Sequence, residues 1–439
     1  MKNRNYHILV ISSRPPSYSA GLGKDIIKSL ENAGHVVDFL TTYNFKNQTK
    51  NQYSIKAEPL ILKLSQLRQQ WTCLRKLAII KNILFNRKLI TNRALTYPNE
   101  NKPPIPIKKI TTTINSNYDF IITLFWEGLI TTASLKAIFD KLKCPILIYA
   151  VDMGPFTGGC YYFRECDRYT SECGMCPILK SNSLNDPTHY NYLYKKEVYN
   201  NIQVAFLSNT YVNRFAQKAN LFNSKHIYCI SFVLDEHKFK PLNVDYCRKR
   251  FHIPKEKTFI LFSRYSKELN CRKGINHLVS SVNTFYNSLS KDKKQRTLLL
   301  LAGEEYDSKS KYFDMDVINL GFITEKRLIE VYSASSIFLN TSIDDAGPSM
   351  VNQSMMCGTP VVSFNLGTAQ DMITNINLGY KAEKGNSYDF CNGIKKIFNL
   401  NCDEYQKMRV RCREQALKLN SMNAFSTRII EIYESFKTN

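Results

Sequence analysis

The sequence predicts an α/β protein made of two doubly wound halves. Three observations carry this expectation. Short apolar runs alternate with helical patterns, the alternation opens at His7 and restarts at Thr258, and 439 residues at 44% hydrophobic content can bury two separate cores. In the first half His7 to Ser12 reads as a strand, Arg14 to Gly23 as a turn-rich loop, Lys24 to Ala33 as a helix and Val36 to Leu40 as a second strand. Gly21 sits where that loop meets the helix, so a phosphate or an acceptor group could approach its backbone. Further apolar strands are expected at Phe120 to Leu124 and Pro145 to Ala150.

The second half repeats the rhythm. Phe259 to Ser263, Thr297 to Ala302, Val317 to Leu320, Ser336 to Leu339 and Pro360 to Phe364 read as strands, separated by helices near Gly274 to Tyr286, Glu325 to Ala334 and Pro348 to Cys357. Alternation of this kind predicts a parallel sheet covered on both faces. Leu234 to Pro254 is expected to join the halves, giving domains at residues 1–235 and 255–422, with residues 423–439 as a last helix.

The formal charge of +23 calls for an anionic partner or surface. From Leu62 to Arg93 there are eight Lys or Arg and no acid, on a segment whose Leu, Ile and Trp recur at three- and four-residue steps. This reads as an amphipathic helical segment with a basic face suited to anionic lipid headgroups, or as one whose apolar stripe packs on its own domain. No apolar run approaches the roughly 20 residues needed to span a bilayer, and the N-terminus leads straight into a strand, so a cytoplasmic protein is expected.

The stretch from Ile343 to Phe364 says most about chemistry. It places Asp344 and Asp345 on a loop, Gly347-Pro348 where a helix begins, Gly358 at its end and an apolar strand after it. Gly347 lets a ligand approach the backbone, and Pro348 suits the first helical position. The amides of such a helix start seat a phosphate without a metal. An Asp before a helix also serves as a cap, so the pattern alone leaves both readings open.

This block resembles the nucleotide-sugar site of retaining GT-B glycosyltransferases of family four, which carry two acids eight residues apart, the second four residues before a Cys-Gly-Thr-Pro-Val-Val-like run. Asp345 and Gln353 occupy those places, where Glu is usual at both. The resemblance implies that Asp345 orients the donor sugar and that Gln353, through its amide carbonyl, accepts hydrogen bonds from the ribose. It implies a Lys and an Arg on the diphosphate: Lys273 takes the first place, and Arg264 and Arg272 both remain candidates for the second. Gly321-Phe322 falls where the family reads the nucleotide base. The implied fold is GT-B, two Rossmann-like domains facing a cleft, with the last helix returning to the first domain.

Cysteine usage gives a second signal. Cys160, Cys166, Cys173 and Cys176 fall within 17 residues and end in a C-x2-C pair before Pro177. Four thiolates at this spacing suit a closed, structural zinc site, and disulfides are not expected in a reducing compartment. The segment from Asp152 to Pro177 resembles a four-cysteine knuckle found in a subset of family-four enzymes of bacterial surface and capsular polysaccharide synthesis. Members often carry His where this chain has Val151, which leaves Asp152 as the polar candidate for the acceptor side.

Together these features imply transfer of a sugar from a nucleotide-diphosphate donor to a lipid-linked glycan acceptor, with retention of configuration and no catalytic metal, on the inner face of the cell membrane. Two alternatives are a zinc-stabilised nucleic-acid-binding protein and a GT-B nucleotide-sugar epimerase. The first leaves the Asp345 to Phe364 block unexplained. The second expects paired acids, or an acid and a His, where Val151 and Gln353 stand.

Overall fold

The computed structural model describes residues 4–14, 21–42, 52–55, 99–222, 226–266, 270–304, 306 and 312–438. The basic segment from Leu62 to Arg93 lies outside them. The chain folds as two compact units, one comprising Met1–Ser208, Asn213–Cys229 and Ile429–Asn439, the other Asn209–Val212 and Ile230–Arg428.

The first unit holds a seven-stranded parallel sheet of β1 (His7–Ser12), β2 (Val36–Thr41), β3 (Gln52–Ser54), β4 (Phe120–Leu124), β5 (Ile146–Tyr149), β6 (Val204–Ser208) and β7 (Ile227–Cys229). Its order is β3-β2-β1-β4-β5-β6-β7. Ile8 to Ile11, Phe120 to Ile122 and Ile146 to Ile148 are fully buried, as continuous apolar runs must be in a sheet covered on both faces. The chain leaves β1 towards β2 and β3, then returns to place β4 on the other side of β1, with Val10 level with both Phe39 and Ile122. A doubly wound sheet binds ligands at this reversal of strand order, beyond the carboxyl ends of its strands. From Ile429 the last helix (Met422–Thr438) packs within this unit, where Tyr433 stacks on Phe120 at 4.4 Å.

The second unit repeats the plan with six parallel strands, β8 (Phe259–Tyr265), β9 (Thr297–Gly303), β10 (Val317–Asn319), β11 (Ile337–Asn340), β12 (Val361–Phe364) and β13 (Gly379–Ala382), in the order β10-β9-β8-β11-β12-β13. Its reversal lies between β8 and β11, where Phe262 is level with Phe338. Leu234, Phe239, Cys247, Phe251 and Ile253, from the stretch read as a joint between halves, are buried in this unit's core.

Strands β3, β6, β7 and β13 and the helix Pro187–Asn200 were not predicted. That helix has a clear start: Asp186 Oδ1 accepts from the Thr188 and His189 amides, with Pro187 in the first turn. Its buried face includes Thr188, Asn191 and Lys195, so apolar periodicity does not announce it. The helix at 348–357 begins one residue later than expected. Pro348, with ψ 94°, is its cap and Ser349 its first helical residue, because the missing N–H is equally harmless at either place.

Candidate functional site

In the second unit three loops leave the carboxyl ends of β8, β10 and β11. The first carries the short helix Asn270–Lys273 and then Gly274, which caps the helix Ile275–Asn287. Gly274 is required there twice over: its φ is +64°, and a Cβ would stand 1.9 Å from the Thr341 carbonyl oxygen. Backbone groups join the loops after β8 and β11. The Ile343 amide donates to the Arg272 carbonyl at 2.9 Å, and Thr341 Oγ1 donates to that of Lys273 at 3.1 Å.

This joint brings Lys273 Nζ onto Asp345 Oδ2 and aims an Arg272 nitrogen at the Asp344 carbonyl at 3.2 Å. Burial pushes the Asp345 carboxyl up, but Lys273, then Arg272 and the Gly347 amide at 3.2 Å, outweigh it and hold the group below the usual carboxylate range. Gly347 is packed so closely that a Cβ would meet the Phe232 ring at 2.6 Å, and Asn209 fixes the preceding turn by donating to Ala346 O at 2.7 Å. The result is a buried carboxylate and a lysine at the mouth of the helix Ser349–Met356.

In the first unit, loops following β1, β4 and β5 enclose a pocket lined by Arg14, Phe125, Trp126, Glu127, Asp152 and Tyr161, among others. Asp152 Oδ1 accepts from the Gly154 amide at 2.8 Å. The side chain reaches solvent through the pocket but is otherwise surrounded by protein. That desolvation pushes its carboxyl up to about 6, against the Gly154 amide, Arg14 and Lys195 and with help from Glu127. Beneath this pocket lies an ion pair that the sequence did not reveal. Lys195 and Glu100, with side chains 0% and 1% exposed, meet at 2.9 Å. Lys195 also donates to the carbonyls of Gly154 at 2.7 Å and Thr157 at 2.9 Å, and Glu100 Oε2 accepts from the Thr132 amide and hydroxyl.

The same helix organises the cysteine segment. Asp186 Oδ2 accepts from the Cys176 amide at 2.8 Å, Thr188 Oγ1 from the Gly174 amide at 3.2 Å, and Asn191 donates to Gly158 O at 3.2 Å. Cys160, Cys166, Cys173 and Cys176 line one small cavity as free thiols. Among the described residues no group of three or more His, Cys, Asp or Glu is arranged to hold a metal ion. Cys173 Sγ accepts from the Gly158 amide at 3.2 Å. Burial pushes the Cys160 and Cys173 thiols up to about 12 and raises Cys176, which keeps them neutral until a cation offsets the cost.

Residues 245–419 match the family model described as glycosyl transferases group 1. The second unit carries a group 1 glycosyltransferase domain. Over its whole length the chain shares its fold with solved GT-B glycosyltransferases. A glycosyltransferase from Rickettsia africae superposes with a TM-score of 0.61 at 15% identity, covering 99% of each chain. HepE of Anabaena, solved in complex with UDP and glucose, gives 0.60 at 13% identity over 98% of this chain and 100% of that one. Sucrose-phosphate synthase of Thermosynechococcus elongatus gives 0.62 at 16% identity over 99% and 100%. No curated protein sequence matches the chain.

Within the group 1 domain the structure unites Lys273, Arg272, Asp345 and Gly347. It places the other predicted residues differently. Arg264 points outward from within β8, which runs on to Tyr265. Gln353 is 1% exposed, and its carbonyl oxygen accepts from the equally buried Tyr332 hydroxyl at 3.2 Å. Gly321, at φ +59°, turns the chain after β10 and leaves Phe322 81% exposed. In the first unit Gly21, at φ +78°, caps the helix Leu22–Asn32. Among the described residues no helix is long and apolar enough to cross a membrane.

Proposed function

We propose that the protein transfers a sugar from a nucleotide-diphosphate donor to a glycan acceptor with retention of configuration. The observation that carries this reading is the Lys273–Asp345 pair at the start of the helix Ser349–Met356, inside the group 1 domain. Cleavage of a glycosyl–phosphate bond leaves negative charge on the diphosphate and positive charge on the sugar ring. Lys273, one of Arg272 and Arg264, and the amides beyond Gly347 would stabilise the first charge, and Asp345 would orient the sugar and offset the second. The leaving phosphate accepts the acceptor's proton on the face from which it departs, so the reaction needs neither a dedicated base nor a catalytic metal. Phe322 offers an exposed ring to the nucleotide base, Gln353 would accept from the ribose only by turning its carbonyl oxygen away from Tyr332, and Gly21 and Asp152 belong to the acceptor side.

The acceptor in this reading is lipid-linked, as in assembly of a surface polysaccharide. The basic segment from Leu62 to Arg93 holds the enzyme on the inner leaflet, each engaged Lys or Arg contributing about 1 kcal/mol. The four cysteines fit structural zinc in donor type and in lining a single cavity; bound there, the ion would pin the segment from Asp152 to Pro177.

The test is turnover with a panel of nucleotide sugars and a lipid-linked acceptor in anionic vesicles. Asp345→Asn and Lys273→Ala should each abolish release of nucleoside diphosphate in protein that still unfolds cooperatively, and replacing Arg75, Lys76, Arg87 and Lys88 by Gln should slow transfer in anionic vesicles without weakening donor binding. Near-normal turnover by either of the first two variants would overturn the placement of the donor site.

A further inference from the structure

We propose that the pocket at the β1/β4 reversal binds an uncharged pyranose of the acceptor, with Glu127 and Asp152 receiving its hydroxyls and Trp126 covering its apolar face; this rests on the glycosyltransferase reading above. Position is the first argument. Arg14 follows β1, Phe125 to Glu127 follow β4 and Asp152 follows β5, three adjacent strands whose carboxyl ends meet where the strand order reverses.

Strain is the second argument. Phe125 is not a glycine yet has φ +48°, in the left-handed region that disfavours a residue with a β-carbon. It is held there by the Ser13 amide, which donates to the Phe125 carbonyl at 2.9 Å, and by the Arg14 guanidinium lying 4.1 Å over its ring. The bend turns the next two residues, Trp126 and Glu127, to the pocket wall. The indole is then fixed by its own N–H, which donates to the buried Thr123 hydroxyl at 3.2 Å. Backbone strain held beside a pocket is consistent with a place shaped for a ligand.

The third argument is the state of the polar groups. Asp152 uses Oδ1 on the Gly154 amide, and Oδ2 has no hydrogen-bond partner among the described residues. The buried Tyr161 hydroxyl has no well-formed partner either, although Glu127 stands close enough to help hold its proton. Glu127 is exposed to the pocket, while Glu100 deeper down is already satisfied by Lys195 and Thr132. Two carboxylates thus face one guanidinium, a balance that accepts hydroxyl donors and opposes a further negative charge. Aromatic faces beside carboxylates suit a ring with apolar C–H groups on one side and hydroxyls at its rim. A uronic acid or a phosphorylated sugar fits poorly.

The experiment uses the full chain and two independent readouts. Saturation-transfer NMR follows octyl glycosides of neutral hexoses, 6-deoxyhexoses and N-acetylhexosamines against octyl glucuronide, and thermal shift follows nucleoside diphosphates. At least one neutral glycoside should bind ten-fold or more tightly than the glucuronide. Trp126→Ala should weaken it at least ten-fold, Trp126→Phe should recover part of that loss, and Glu127→Gln should narrow the discrimination against the glucuronide. Nucleoside diphosphate shifts should be the same in all three variants, which also shows that they fold. Glucuronide binding as tight as that of the neutral glycosides, or no glycoside binding while a nucleoside diphosphate binds, overturns the pocket and leaves the donor reading standing. Glycoside binding through Trp126 with no nucleoside diphosphate binding supports the pocket and overturns the donor reading. No binding of either ligand overturns both.

Discussion

Replacing Lys195 by Met should be among the most damaging single changes in the first unit. The lysine is buried at the end of the face that Thr188 and Asn191 open on the helix Pro187–Asn200, and its ammonium is fully engaged by Glu100 at 2.9 Å, Gly154 O at 2.7 Å and Thr157 O at 2.9 Å. Methionine preserves most of the stem and none of the donors. Glu100 would keep its bonds from Thr132, but its charge would stay buried without a counter-ion, a situation that typically costs about 3–5 kcal/mol. The two carbonyls add to this wherever water cannot replace the ammonium, at about 1–3 kcal/mol each. In a folding unit of this size each kcal/mol moves the midpoint by about 2–4 °C, so a fall of at least about 6 °C is expected. Calorimetry would measure it, with Trp126 fluorescence assigning the transition to the first unit. The double variant Lys195→Met/Glu100→Gln should regain part of the loss, since it removes the stranded charge. A single variant that melts within about 3 °C of the wild type, or a double variant that is no better, would show that the pair is not what holds this turn.

Asp152→Asn should stabilise the protein at neutral pH. Burial raises the folded-state carboxyl from 3.8 to about 6, so the native state keeps a proton that the unfolded chain has released; this group's contribution is present below about pH 4 and lost as pH rises through about 6. The shift corresponds to roughly 3 kcal/mol, reduced to about 1–2 because the side chain still meets pocket solvent, and denaturant titrations at pH 7 and pH 3.5 should show a gain at the first and none at the second. For the cysteine segment, freshly purified protein should contain about one zinc per chain, and Cys173→Ser should lower thermal stability more than it changes affinity for a nucleoside diphosphate. Metal analysis that finds neither zinc nor iron, with all four thiols open to alkylation, would remove the metal from the proposal.

What the sequence disclosed, and what it hid, follows from how far each determinant reaches along the chain. β1, β4, β8 and β9 are legible because a parallel strand buried on both faces must be apolar at nearly every position. The helix Pro187–Asn200 escaped because its inward face is chosen for hydrogen bonding to the cysteine segment, and Thr188, Asn191 and Lys195 do not register as a hydrophobic stripe. Lys273 and Asp345, 72 residues apart, were both named from local patterns, but their contact depends on β8 and β11 being neighbours, a property of strand order that no local pattern contains. Glu100 and Lys195 offered no local pattern at all, since an isolated Glu and an isolated Lys are ordinarily solvated. The pocket shows the same limit from the other side. Phe120 to Leu124 was recognised as a strand, while the residues beyond it, Phe125 to Glu127, carry no motif. They acquire meaning only when the return of the chain places β4 against β1 and the Ser13 amide bends the backbone at Phe125. In both units, then, chemistry-bearing side chains collect on the loops at a reversal of strand order, and the reversal itself becomes visible only in the folded chain.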